Sequence, residues 1–119
     1  MQRFLDLRVG RRAHAWVLEV YRLTTAFPTD ERYGLTSQLR RAAVSVPSNL
    51  AEGAKRRSRL DYARFINIAE SSVAEVEYLL LLATDLTYAS PERTAPLLRE
   101  AGEIGRMLDG LRRRVAPDD

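Results

Sequence analysis

From Tyr62 to Leu86 apolar residues recur at three- and four-residue steps: Tyr62, Phe65, Ile66, Ala69, Val73, Val76, Leu79, Leu80, Ala83 and Leu86. That is the period of an α-helix, close to a heptad seam. Ser58 and Asp61 match the S/T-x-x-D/E capping box at its start. A helix over 60–88 would be about 42 Å long at 1.5 Å per residue. A stripe of that length needs other long apolar faces to cover it.

Three further segments supply them. Ala13, Trp16, Val17, Val20, Thr24 and Phe27 form the first, predicting a helix over about 5–27 that ends at Pro28. Gly34 reads as a C′ residue after a short turn, and Thr36 as the N-cap of a second helix over about 36–56. Its face is Leu35, Leu39, Ala42, Ala43, Val46 and Leu50. Ser90-Pro91 opens a fourth helix, over about 91–114, with Leu97, Leu98, Ala101, Ile104, Leu108 and Leu111. No segment alternates with period two over a useful length. The expectation is one all-α domain over residues 1–119, an antiparallel up-down-up-down four-helix bundle.

Pro47 tests that reading. Inside a helix a proline removes one hydrogen bond and clashes with the preceding turn, at a cost of about 3 kcal/mol or more. Yet Leu39, Ala43, Val46 and Leu50 continue one face across it. The pattern predicts a second helix kinked at Pro47, with two short helices broken at 46–48 as the alternative.

The central sequence carries a resemblance. The segments E-x-Y-G-L-T-S-Q-L-R-R-A (31–42), V-P-S-N-L-A-E-G (46–53) and D-Y-x-R-F (61–65) are its most specific parts. With them the chain resembles, over about residues 3–112, the bacterial four-helix-bundle proteins of the 23S rRNA intervening-sequence family, related to the accessory variability determinant of diversity-generating retroelements. Gly10 departs from it, standing where family members usually carry tryptophan. The resemblance implies a barrel-shaped homopentamer. Nucleic acid, ribosomal RNA included, and a reverse transcriptase or ribosomal protein are the partners it suggests.

Composition bounds the chemistry. With no cysteine and His14 as the one histidine, histidine-rich and zinc–thiolate sites are excluded. There is no P-loop, dinucleotide-binding or nucleophile-elbow motif, so the reading is a non-enzyme with no cofactor. No run is long and apolar enough for a signal peptide or membrane span, which points to a cytoplasmic protein without membrane contact.

The charge pattern is more informative than the net charge of +3. In the expected topology the first and third helices start where the second and fourth end. Twelve cations and six acids then share that end, against seven cations and ten acids elsewhere. Arg56, Arg57 and Arg59 read as a phosphate-contacting rim, supported by Lys55, Arg64, Arg112, Arg113 and Arg114. The competing explanation is local: cations at a helix C-terminus complement its dipole, each by about 0.3–1 kcal/mol. On the first reading, replacing Arg56, Arg57 and Arg59 together with Gln leaves the fold intact. Arg40, Arg41, Asn49, Glu52 and Glu75 form a second candidate group. It is either a pocket or subunit contact, or a polar network joining helices two and three, such as Glu75 with an arginine. The rival to nucleic-acid binding is a protein-binding assembly scaffold. Self-association would use Tyr78, Leu81 and Leu82, apolar positions off the main stripe.

Overall fold

The computed structural model describes residues 7–117. It contains α1 (Arg8–Thr24), a 3-10 turn (Thr29–Glu31), α2 (Leu35–Gly53), α3 (Arg59–Asp85) and α4 (Pro91–Val115). Among the described residues there is no strand. The helices pack in cyclic order, α1 on α2, α2 on α3, α3 on α4 and α4 on α1, and among the described residues their backbones do not approach closely across either diagonal. The resulting rod measures 46 × 23 × 23 Å.

The periodic stripes supply the core. Every apolar position named for the first two helices is buried, and so are Ile66, Ala69, Val73, Val76, Leu79, Leu80 and Ala83 of α3. From α4, Leu97, Ala101, Ile104, Leu108 and Leu111 join them, with Leu98 partly buried alongside. Each such aliphatic side chain taken out of water contributes about 1.5–3 kcal/mol. Phe27 is buried although α1 ends at Thr24, because the chain tightens before Pro28 through bonds from Ala26 N to Leu23 O and Phe27 N to Thr24 O. The expected start of that helix at residue 5 lies outside the described residues.

Helix ends differ from expectation in three places. First, Gly34 is not a left-handed C′ residue: its φ is −109° and it is the N-cap of α2. Thr36 lies inside the helix, where it is buried. The capping comes from farther back, since Glu31 Oε1 accepts the Leu35 N–H at 3.0 Å while its Oε2 accepts the Tyr88 hydroxyl at 2.8 Å. Second, α2 ends at Gly53, so Lys55 and Arg56 fall in a turn rather than on the helix. Third, α3 ends at Asp85, Leu86 is its C-cap and is 43% exposed, and Thr87 takes a positive φ of 64°. The start of α3 is as the sequence indicates, with Ser58 Oγ accepting from Asp61 N at 3.0 Å. α2 runs through Pro47, which is buried within it.

The Glu31 cap makes stability pH-dependent. The Leu35 N–H first, and the Tyr88 hydroxyl second, hold this carboxyl below its ordinary range. A depressed folded-state pKa means that the stabilisation is present above the unfolded value and is lost as pH falls through the folded one. Glu31→Gln keeps one oxygen to accept the Leu35 N–H, can meet the Tyr88 hydroxyl only by donating its amide N–H to it, and does not titrate. The expected result is a shallower loss of urea midpoint between neutral pH and pH 3 than in the parent. Parallel acid limbs would reject the assignment.

Candidate nucleic-acid interface

Four local arrangements fix the geometry of the cationic cluster. Gly53, the last residue of α2, lies so close to α3 that a β-carbon there would stand 2.7 Å from Phe65 Cβ. At the start of α3, Arg59 donates to the final carbonyls of α4: Nε to Val115 O at 2.8 Å, Nη2 to Arg114 O and Ala116 O at 3.3 Å. Arg112 reaches across to α3, its Nε 2.5 Å from Glu70 Oε1, and also meets Asp109 at 2.7 Å. Leu7, Arg8 and Val9, where α1 begins, share a recess with residues 106–114 of α4.

The eight candidate cations therefore divide. Arg59 closes the end of α4, and Arg112 is held by two carboxylates. The Arg56 guanidinium lies over the Phe65 ring at 4.6 Å. Arg113 pairs with Asp109 at 3.1 Å and Arg64 with Asp61 at 3.3 Å, both with their side chains largely in solvent. Pairs so exposed are worth little and yield readily to a better anion. Lys55, Arg57 and Arg114 have no ion pair among the described residues, and all three are exposed. Two of the three proposed rim residues, Arg56 and Arg59, thus hold the fold as well as carry charge. Glu70 is a further acid near this end that the sequence alone does not place there, because its partner Arg112 is distant along the chain.

The second group separates. Arg40 joins α1 to α2: its Nε donates to Thr24 Oγ1 at 2.7 Å and its guanidinium covers the Tyr21 ring at 4.6 Å. Asn49 turns back on its own helix, donating to Ser45 O at 2.7 Å and Ser45 Oγ at 2.9 Å. The polar link from α2 to α3 is Ser45 Oγ with Ser72 Oγ at 2.8 Å, not Glu75 with an arginine. Glu75 and Arg41 both line a surface recess of about 480 Å³ with Ser37 and Gln38, and neither forms an ion pair among the described residues. Glu52 is exposed. Ser45 and Ser72 carried no signal as a pair, since a lone serine on a helix is equally at home in solvent.

Among the described residues no group of three or more His, Cys, Asp or Glu side chains could hold a metal ion. No described helix is long and apolar enough to cross a membrane.

The family model described as 23S rRNA-intervening sequence protein matches residues 5–110. The chain belongs to this family. The fold has a solved counterpart: a protein of unknown function from the S23 ribosomal protein family of Bacteroides thetaiotaomicron superposes with a TM-score of 0.82. The two are 22% identical, and the match covers 88% of this chain and 95% of the other. No curated protein matches the chain. In this member of the 23S rRNA-intervening sequence protein family, the E-x-Y-G-L-T-S-Q-L-R-R-A segment supplies the α2 cap and one wall of the polar recess. The V-P-S-N-L-A-E-G segment supplies the buried Pro47 and the close approach at Gly53.

Proposed function

We propose that this chain is a non-enzymatic, oligomeric RNA-binding protein of the cytoplasm, and that Lys55, Arg57 and Arg114 are the open cations at its binding end. The observation that carries this reading is the exposure of these three, unpaired among the described residues, on a scaffold where Arg112 already engages Glu70 and Asp109. Arg56 and Arg59 add to the local potential, while Arg64, Arg112 and Arg113 offset Asp61, Glu70 and Asp109. The contacts between helix starts and helix ends support an antiparallel up-down-up-down bundle. The buried proline supports a bend in α2 at Pro47. Binding through guanidinium–phosphate contacts is salt-sensitive and weakly selective for sequence. The family's printed name points to ribosomal RNA as the partner to test first.

Assembly is supported by the outward side of α3, where Tyr78 and Leu81 are 60% and 52% exposed. Repetition of the basic end around a symmetry axis, as in the proposed homopentamer, would turn a small net charge into a strong field.

The test is a titration of structured RNA at two salt concentrations, on a sample whose mass has been measured. Lys55→Gln, Arg57→Gln and Arg114→Gln together should weaken binding and reduce the slope of log K against log salt. The reduction should reach up to about 0.9 for each phosphate no longer neutralised, the duplex-DNA figure. Helical content should be unchanged, which could not be expected of a variant that also removes Arg59. An unaltered affinity and slope would reject this surface. Absence of RNA binding at low salt would favour the protein-scaffold alternative, with a reverse transcriptase or ribosomal protein as partner.

A further inference from the structure

The seam between α1 and α4 holds a recess of about 300 Å³, at the small end of the range for ligand sites. Its lining combines two chemistries. Leu7, Val9, Met107 and Leu111 provide an apolar floor. Arg8, Arg106 and Arg114 provide cationic walls, and among the described residues no carboxylate lines the space. Arg106 is engaged outside it with Glu103 at 2.6 Å. Arg114 has no ion pair among the described residues, and Arg8 makes none within 4.0 Å, acting on Glu103 only through space.

Two features are unfavourable for the isolated fold. Arg8 is the first residue of α1, a helix with no acidic residue in its first turn and no side-chain cap. A cation at a helix N-terminus opposes the dipole by about 0.3–1 kcal/mol. Gly110 stands in the body of α4, where glycine costs about 1 kcal/mol relative to alanine. Packing does not require it, since a β-carbon at Gly110 would meet only Arg114 Nη1, at 3.6 Å. Gly102 and Gly105 of α4 are likewise not required by packing, and Gly110 is set apart from them as the one that lines this recess. At Gly110 the effect of the missing side chain is to leave the recess open.

An apolar floor between guanidinium groups suits a ligand with a flat hydrophobic face and an anionic group. Arginine matches phosphate with its planar fork and stacks on bases with its face. A duplex can offer phosphates to such walls, but its bases are held in the stack and do not reach the floor. We propose that this recess binds one unstacked nucleotide, its base on the Met107–Leu111 floor and its phosphate between Arg8 and Arg114. This deepens the RNA-binding reading, placing a single-stranded nucleotide beside the open cations.

Adenosine 5′-monophosphate and inorganic phosphate are the probes, with the methyl resonance of Met107 followed by NMR in the full chain. The nucleotide should shift that resonance saturably, and inorganic phosphate at equal concentration should leave it in place. Gly110→Met fills the floor, keeps every charge and improves helix propensity. It should abolish the methyl shift and weaken binding of a single-stranded RNA oligomer at least fivefold, leaving duplex affinity within twofold. Arg8→Gln should weaken nucleotide binding comparably with the floor intact. Circular dichroism of each variant checks the fold. Equal shifts from phosphate and nucleotide, no shift from either, or unchanged single-strand binding by a folded Gly110→Met protein would overturn the recess. The last result with RNA still bound leaves the broader reading standing. A specific nucleotide shift without RNA binding would retain the recess and remove that reading.

Discussion

Trp16→Ala is expected to lower the free energy of unfolding by about 3–5 kcal/mol, the usual cost of truncating a large buried aromatic. Trp16 is 2% exposed and lies in the core. Its indole Nε1 also donates to the Leu97 carbonyl of α4 at 3.1 Å. The two contributions differ in size. A hydrogen bond of this kind contributes about 1 kcal/mol net, whereas the cavity left by an indole accounts for most of the loss. Trp16→Phe separates them, since it removes the donor and keeps much of the volume, so its cost should be less than half that of the alanine variant. Because domains are stable by only about 5–15 kcal/mol, the alanine change consumes a large share of the total. Urea midpoints with unchanged m-values would measure it. A loss below about 1 kcal/mol would mean that the neighbours collapse into the space and that Trp16 does not anchor α1 to α4.

Gly53→Ala is expected to destabilise by about 1–2 kcal/mol, although alanine is the better helix former by nearly 1 kcal/mol. The added carbon would stand 2.7 Å from Phe65 Cβ and 3.0 Å from Tyr62 Cδ1. The first of these atoms is fixed to the α3 backbone and cannot swing aside, so α2 and α3 must separate at this end. Tyr62 has little room to yield, its hydroxyl being buried without a hydrogen-bond partner among the described residues. Gly105→Ala is the control. Nothing lies within 4 Å of a β-carbon there, so the same substitution should stabilise by up to about 1 kcal/mol. Opposite signs for one chemical change would show that the close approach, and not glycine flexibility, governs Gly53. Two stabilising results would place α2 farther from α3 than this spacing. The variant also bears on binding, because Lys55 and Arg57 follow directly on Gly53.

Trp16 and Gly53 illustrate what the sequence reveals and what it conceals. Trp16 is legible as core because Ala13, Val17 and Val20 share its period, and burial of a stripe is a local property of a helix. The same holds for the other stripes, which is why the all-helical fold is legible in the sequence. Ends are less legible. The N-cap role passes from Thr36 to Gly34 because Glu31, on the preceding turn, brings its carboxylate to the Leu35 N–H. Leu86 keeps the α3 period but falls at the C-cap, one residue before Thr87 leaves the helical backbone. At the candidate site the types and rough location of the cations can be read, but their partners cannot. Arg59 on the Val115 carbonyl and Arg112 on Glu70 join residues distant in sequence, and nothing in either local pattern announces them. The approach of Gly53 to Phe65 is hidden for the same reason. Periodicity reports which face is buried, whereas pairing depends on the rotation of one helix against another.

The cyclic packing has a consequence for how the molecule breathes. Of the four seams among the described residues, α1–α4 is the lightest, and Trp16 on Leu97 and Arg12 on Glu100 at 2.6 Å bridge it. In a closed cycle one seam can part while the other three stay packed, and the lightest seam parts at the lowest free energy. α1 is then the leaf that swings, with α2, α3 and α4 as its frame. A nucleotide seated in the α1–α4 recess would latch that leaf shut. By linkage, whatever loosens the leaf must weaken the nucleotide's hold by the same free energy.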